Sequence, residues 1–256
     1  MRRIAIALVG AAVAVAVLAA GASGRAAATF KWCTDPTFPP MEYTTTSGKI
    51  VGFDADMAVA LAKTWGGTAV ASKTAFPGLI PALNAKKCDA VISGIFITPD
   101  RTKQAGVVSY MHTHRVLIVK AGNPKSIHSP NQLKGLVVAV QTGTKYEEYL
   151  KALKAKIGFT LQSYPGDNDA VAQVLLGRAD AVLTQDTSFA FQAKAHPGKI
   201  AVGFTFAASD QFGIYYRKAD AAALGQQIKD GVARLRVIGT LAKLAAKYKI
   251  PVNTVK

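Results

Sequence analysis

Ser93-Gly94-Ile95-Phe96-Ile97-Thr98-Pro99-Asp100-Arg101 compresses a strand end, a glycine turn and a helix start into nine residues. Ahead of it, Asp89-Ala90-Val91-Ile92 is a short apolar run of the kind that forms a buried strand. Ser93-Gly94 breaks the strand, and a glycine there lets backbone approach a ligand closely. Thr98 then suits an N-cap, Pro99 the first helical position and Asp100 the first turn. Arg101 lies on that first turn, and its planar guanidinium can grip a carboxylate at two points. An ordinary surface arginine fits this segment alone equally well.

Working outward, the order strand, helix, strand, helix, strand predicts an α/β fold with a parallel sheet covered on both faces. Phe30–Thr34 reads as the first strand, ended by the prolines of Asp35-Pro36-Thr37-Phe38-Pro39-Pro40. Asp54 opens a helix with Met57, Leu61 and Trp65 on one face, closed by Gly66-Gly67. Ala69–Ala71 is the next strand and Pro77–Lys86 the helix that leads to the opening motif. Ligands of such sheets bind at the carboxyl ends of the strands, where Asp35 and Ser93 fall. A second set of elements follows Val116–Val119: strand Leu136–Val140, the polar turn Gln141-Thr142-Gly143-Thr144, and helix Tyr146–Lys156. Helix Ala170–Leu176 and strand Ala179–Leu183 come next, with Thr184-Gln185-Asp186-Thr187 at the strand's carboxyl end. Phe212–Tyr216 is a last strand, and two amphipathic helices close the chain.

The N-terminus carries Met1-Arg2-Arg3, an apolar run of 17 residues from Ile4 to Ala20, and Arg25-Ala26-Ala27-Ala28. That pattern describes a secretory signal peptide over residues 1–28, which places the mature chain outside the cytoplasm. Removing those 28 of 256 residues leaves 228, and the loss of Arg2, Arg3 and Arg25 lowers the net charge from +16 to +13. A charge of that size raises nucleic-acid binding as an option. The basic residues are scattered, however, with no run longer than Lys86-Lys87, and export removes the chain from nucleic acid. The two cysteines, Cys33 and Cys88, pass through an oxidising compartment, which favours a disulfide. Strand geometry opposes it: with Asp89–Ser93 aligned beside Thr29–Thr34, Cys88 falls about 10 Å below Cys33 at a rise of about 3.3 Å per residue. A bridge needs Cα atoms within about 7 Å, so free thiols are expected.

Six motifs in order carry a family resemblance. They are Cys33–Tyr43, Gly52–Asp56, Phe76–Leu83, Ser93–Arg101, Leu133-Lys134-Gly135 and Gln141–Thr144. From about Phe30 to Tyr248 the chain resembles the family 3 bacterial extracellular solute-binding proteins, the amino-acid-binding components of ABC importers. The resemblance implies two α/β lobes joined by two hinge strands near Val116–Lys120 and Gln211–Tyr215. Lobe 1 would be residues 29–118 plus 212–256, and lobe 2 residues 119–211. It implies an amino-acid ligand, a membrane ABC permease as partner, a monomer, and neither cofactor nor metal. Arg101 would take the ligand carboxylate, helped by the backbone near Phe96 and by Thr142 and Thr144. Asp35, Phe38 and Phe76 would surround the ligand side chain, Ser93 and Gly94 would bond the ammonium, and Gln141 belongs to the same polar turn.

Two departures from the family pattern matter. Phe96 stands where a small or hydroxyl residue is common, so one hydrogen bond is missing and the pocket is tighter. An ungapped alignment sets Gln185, with Asp186 next to it, at the position of the ammonium-binding acid. A buried ammonium without a carboxylate is costly, which favours Asp186 with a local shift. A carboxylate at Asp35 favours arginine, lysine, histidine or glutamine over glutamate or aspartate. The rival reading is an enzyme, because cyclohexadienyl dehydratases resemble the same family. Its acid or base would have to come from Asp35, Glu42, Asp186 or the four histidines. His112 and His114 lack a third metal ligand, so a binding protein is the stronger reading.

Overall fold

The computed structural model describes residues 28–255, so nearly all of the expected signal peptide lies outside the described residues. The first strand, β1 (Thr29–Thr34), leads into a small antiparallel sheet of β2 (Thr37–Phe38), β3 (Glu42–Thr44) and β4 (Ile50–Val51). Helix α1 (Phe53–Lys63) follows and buries Met57 and Leu61, each contributing roughly 2 kcal/mol of apolar burial. Strand β5 (Thr68–Lys73), helix α2 (Leu79–Asn84), strand β6 (Ala90–Val91) and helix α3 (Pro99–Gln104) complete the first run. Strand β7 (Gly106–Lys120) then carries the chain into the second lobe.

The second run is β8 (Val137–Gln141), α4 (Lys145–Ile157), β9 (Thr160–Tyr164), α5 (Asp167–Leu175), β10 (Ala181–Gln185) and α6 (Asp186–Ala195). Strand β11 (Ile200–Tyr216) returns, and α7 (Gln226–Val237) and α8 (Thr240–Lys247) pack back on the first lobe beside α1. One sheet of order β5-β1-β6-β11-β7-β10-β8-β9 runs through both lobes. The outer pairs, β1 with β5 and β6, and β8 with β9 and β10, are parallel. The two long strands pair antiparallel with each other from Gly106 with Tyr216 to Lys120 with Ile200, with register shifts in between. This is a two-lobed α/β fold in which two crossing strands join the lobes.

Three features differ from the sequence expectation. Val116–Val119 and Phe212–Tyr216 are the apolar ends of strands of 15 and 17 residues. The polar middle, His112–His114 against Ser209–Gln211, has no apolar period, yet its backbone is paired across the crossing. Strand β9 and helix α6 were not expected, because β9 is a half-exposed edge and α6 buries only Thr187, Ser188 and Gln192. The third difference is chemical. Cys33 and Cys88 form a disulfide with Cα atoms 5.7 Å apart, not the expected free thiols. Strand β6 begins only at Ala90, paired with Trp32, and the chain bends at Asp89. Cys88 therefore leaves the ladder on which the 10 Å separation had been extrapolated.

Candidate functional site

The motif that opens the sequence builds one wall of a cavity between the lobes. Thr98 caps α3, its Oγ1 accepting from the Arg101 N–H at 3.3 Å, with Pro99 behind it. The cap sets the direction of Arg101, whose Nη1 donates to the Phe96 carbonyl at 3.1 Å. Tyr215 donates its hydroxyl to the same carbonyl at 2.7 Å. The guanidinium lies 5.5 Å over the Phe76 ring. Burial pulls the Arg101 pKa down, but a guanidinium stays charged at any physiological pH.

Phe96 is buried, stacked on Phe212 at 5.3 Å and edge-on to Tyr146 at 5.2 Å. Phe38 meets Phe212 edge-on at 6.2 Å. Gly94 sits at φ +46°, and a Cβ there would lie 2.6 Å from the Phe38 ring, so only glycine allows this wall to close. Beneath it the Gly94 N–H donates to Asp54 Oδ2 at 2.7 Å, and the Ser93 hydroxyl donates to Glu42 Oε1 at 2.8 Å.

Carboxylates face the cavity from both lobes. Asp35, at the end of β1, accepts from the Phe76 N–H at 3.0 Å and from Gln141 Nε2 of the other lobe at 3.0 Å. Burial raises its pKa. Asp167, at the start of α5, accepts from the hydroxyls of Thr184 at 2.6 Å and Ser188 at 2.7 Å. Burial raises it to about 6, with the Asp35 carboxylate adding to the rise. Gln185 Oε1 and the Tyr146 hydroxyl line the cavity, buried and without a hydrogen-bond partner. The cavity volume is about 20 Å³, room for about one water, because the lobes are shut. Gly143 packs on Pro77, and Tyr43 meets Phe191 at 5.5 Å. A larger cleft of about 390 Å³ shares Phe76, Arg101 and Lys145 with it.

A guanidinium at one wall and carboxylates at another suit a small zwitterion, and the comparisons agree with that chemistry. The profile of the bacterial extracellular solute-binding proteins, family 3, matches residues 30–250. The chain belongs to that family. Among its relatives, the putative ABC transporter arginine-binding protein 2 of Escherichia coli (strain K12) is 31% identical over 242 residues, 92% of this chain and 98% of the relative. An ancestral arginine-binding protein bound to arginine superposes with a TM-score of 0.81 at 32% identity, covering 86% of this chain and 97% of its own. An ancestral amino acid-binding protein described as a precursor of cyclohexadienyl dehydratase superposes with a TM-score of 0.79 at 31% identity, covering 86% and 95%.

Within this family member, most of the residues singled out from the sequence do meet at the cavity. Asp35, Phe38, Phe76, Gly94 and Phe96 line it, as do Arg101, Gln141, Thr144 and Gln185. Ser93 does not; its hydroxyl is taken up below the wall by Glu42 and the Asp35 N–H. Thr142 is not among the lining residues either. Asp186 is the expectation that the geometry corrects. Its carboxylate turns to β7, accepting from Thr113 Oγ1 at 2.6 Å and the His114 N–H at 3.2 Å, with His114 Nδ1 at 3.5 Å. Its position opens α6, and that helix start directs the side chain away from the cavity.

Lys145, Tyr146 and Asp167 line the cavity and were missed. In the sequence Tyr146 reads as the first residue of a helix and Lys145 as its link to the polar turn. Asp167 lay in a segment with no strand-end signal, although an acid just ahead of an apolar helix was there to be read. Among the described residues, no group of three or more His, Cys, Asp or Glu is placed to hold a metal ion.

Proposed function

We propose that this solute-binding protein captures an amino acid with a cationic or amide side chain between its lobes and delivers it to an ABC permease. The observation that carries the reading is Arg101 across a buried cavity from Asp35, one fork for a carboxylate and one acid for a cation. The relatives' names, arginine- and histidine-binding among them, support the same class. The chain acts after export, as a monomer and as a carrier with no turnover. The sequence reading divides the lobes as residues 29–118 with 212–256, and 119–211, and the pairing of β7 supports moving residues 115–118 to the second lobe. Pairing of Arg115–Val119 with β10 supports placing the first passage between lobes a few residues ahead of Val116.

Ligand entry needs the lobes to open, since the closed cavity cannot hold an amino acid. The Gln141–Asp35 hydrogen bond then breaks, and the ligand's cation takes the place of the Gln141 amide on Asp35. Closure around a native-state ligand raises stability by mass action. A thermal-shift screen of the common amino acids is expected to show the largest rise with arginine or lysine and none with glutamate. Arg101→Ala is expected to remove the shift, at a cost of about 3–5 kcal/mol in binding. Normal affinity in that variant excludes Arg101 from the site. Aromatic product formed from prephenate or arogenate would replace this reading with the dehydratase one.

A further inference from the structure

The residues at the end of β10 leave lobe 2 without an acid in the cavity. Gln185 reaches it as a neutral amide, and the carboxylate of Asp186 is held on β7 by Thr113 and His114. Asp167 stands in that space from the start of α5, only 4% exposed. Its two oxygens accept from neutral hydroxyls, one each, which fix the carboxylate and leave lone pairs on both. Among the ion pairs of the described residues, none involves Asp35 or Asp167. A buried carboxylate without a cation is expensive to keep, and two facing one cavity more so.

The cations of the cavity do not offset them equally. Lys145 is committed to Asp210 at 3.0 Å, an acid it shares with Arg115 at 2.8 Å. Arg101 has no carboxylate partner within salt-bridge distance among the described residues, and its free face awaits one. The unspent charges are therefore two carboxylates and one guanidinium.

We propose that Asp167, in place of Gln185 or Asp186, is the lobe-2 anchor for a ligand cation, and that with Asp35 it selects amino acids carrying two cationic groups and one carboxylate. The inference rests on the binding function proposed above and narrows it. Arginine, lysine and ornithine have that charge set. Glutamine leaves one buried carboxylate unpaired, and glutamate adds a third. Anchoring from opposite lobes also links closure to ligand charge, because a ligand with one cation can satisfy only one lobe.

Isothermal titration calorimetry with arginine, lysine, glutamine and glutamate tests this on the wild type, Asp167→Asn and Asp186→Asn. The wild type is expected to bind arginine or lysine well ahead of glutamine. Asp167→Asn is expected to weaken arginine binding about 100-fold and to erase that preference, since the buried cation loses its partner. Asp186→Asn is expected to keep near wild-type affinity. A thermal melt of the unliganded variants reports whether they fold.

A second measurement needs no variant. Groups facing Asp167 are Asp35 and Tyr146, with Arg101 and Lys145 also lining the cavity and Lys73 and Asp169 acting on Asp35. With Asp167 near 6 when unliganded, a bound cation lowers it, so arginine affinity should fall as pH drops below about 6 and binding there should release a proton. Unchanged arginine affinity in Asp167→Asn, or an affinity flat from neutral pH to well below 6, overturns the inference. Equal affinity for arginine and glutamine overturns the two-cation rule. A wild type that binds arginine no better than glutamate, or binds none of the four, overturns the proposed function itself.

Discussion

Two pairs of buried carboxylates, one under the cavity wall and one facing the cavity, solve the same electrostatic problem differently. Glu42 and Asp54 interact with each other within lobe 1, and Glu42 Oε2 and Asp54 Oδ1 are buried without a hydrogen-bond donor. Burial, with Asp54 beside it, pushes Glu42 well above the usual carboxylate range, which favours its protonated form. Asp54, at about 6, is the acceptor for the Gly94 N–H and the Tyr110 hydroxyl. That pair is self-sufficient and holds the Ser93-Gly94 turn in place. Asp35 and Asp167 sit on different lobes, share no proton, and have only neutral donors around them. The contrast teaches that a buried acid completed by another acid serves as scaffold, whereas, under the proposed function, one left without a cation at the seam between the lobes is available to a ligand.

Four changes break or sharpen that contrast. The largest effect belongs to the disulfide beside it. Cys33 lies two residues before Asp35 and is bridged to Cys88 across a separation of 55 residues. Replacing both cysteines by serine is expected to remove about 4 kcal/mol of stability by the loop-entropy model. Urea denaturation checks this, and arginine affinity well below the melting temperature should stay within a factor of three or so if scaffold and cleft are separable.

Next is Asp54→Ala, which strips the acceptor from two buried donors. A loss of about 3 kcal/mol of unliganded stability is expected in the same denaturation experiment. A loss below about 1 kcal/mol would mean that the pair is not the support of the turn.

Asp35→Asn keeps an oxygen for the Phe76 N–H and Gln141 but deletes the charge. The cleft carboxylate should therefore behave in reverse: arginine affinity falls by about 2 kcal/mol while unliganded stability holds or rises. Calorimetry and a melt on one sample decide it, and a stability loss without an affinity loss would move Asp35 to the scaffold.

The smallest change is expected from Glu42→Gln, because an amide can replace a protonated acid, donating to Asp54 and accepting from Ser93. Its effect should be below about 0.5 kcal/mol at and below about pH 4.5, where the carboxyl is protonated in both folded and unfolded chains. The sign of its pH dependence is also determined. An acid whose folded pKa is raised contributes stability that is complete below the unfolded pKa, about 4.5, and lost as pH rises through the folded value. Glutamine removes that slope, so the variant should gain on the wild type as pH rises above about 4.5. A stability curve parallel to that of the wild type would show that Glu42 is not the proton carrier.

Much of this was written along the chain. The alternation of apolar strands with capped helices, Thr98 and Pro99 ahead of Arg101, and the acid at the end of β1 are local patterns, and local patterns are what propensity and periodicity report. They were enough for an α/β sheet and for Asp35, Gly94 and Arg101, whereas the two lobes and the other residues expected at the cavity were implied by the family resemblance of six ordered motifs. What needed the tertiary structure depends on residues far apart in sequence. The disulfide turned on where β6 begins and where the chain bends. Asp186 and Asp167 are both acids at helix starts, and nothing local says that one turns onto β7 while the other turns into the cavity. The polar centre of the crossing strands and the buried pair Glu42 and Asp54 exist only once segments from different parts of the chain are brought together. Periodicity places a side chain on a face; only packing decides what lies opposite it.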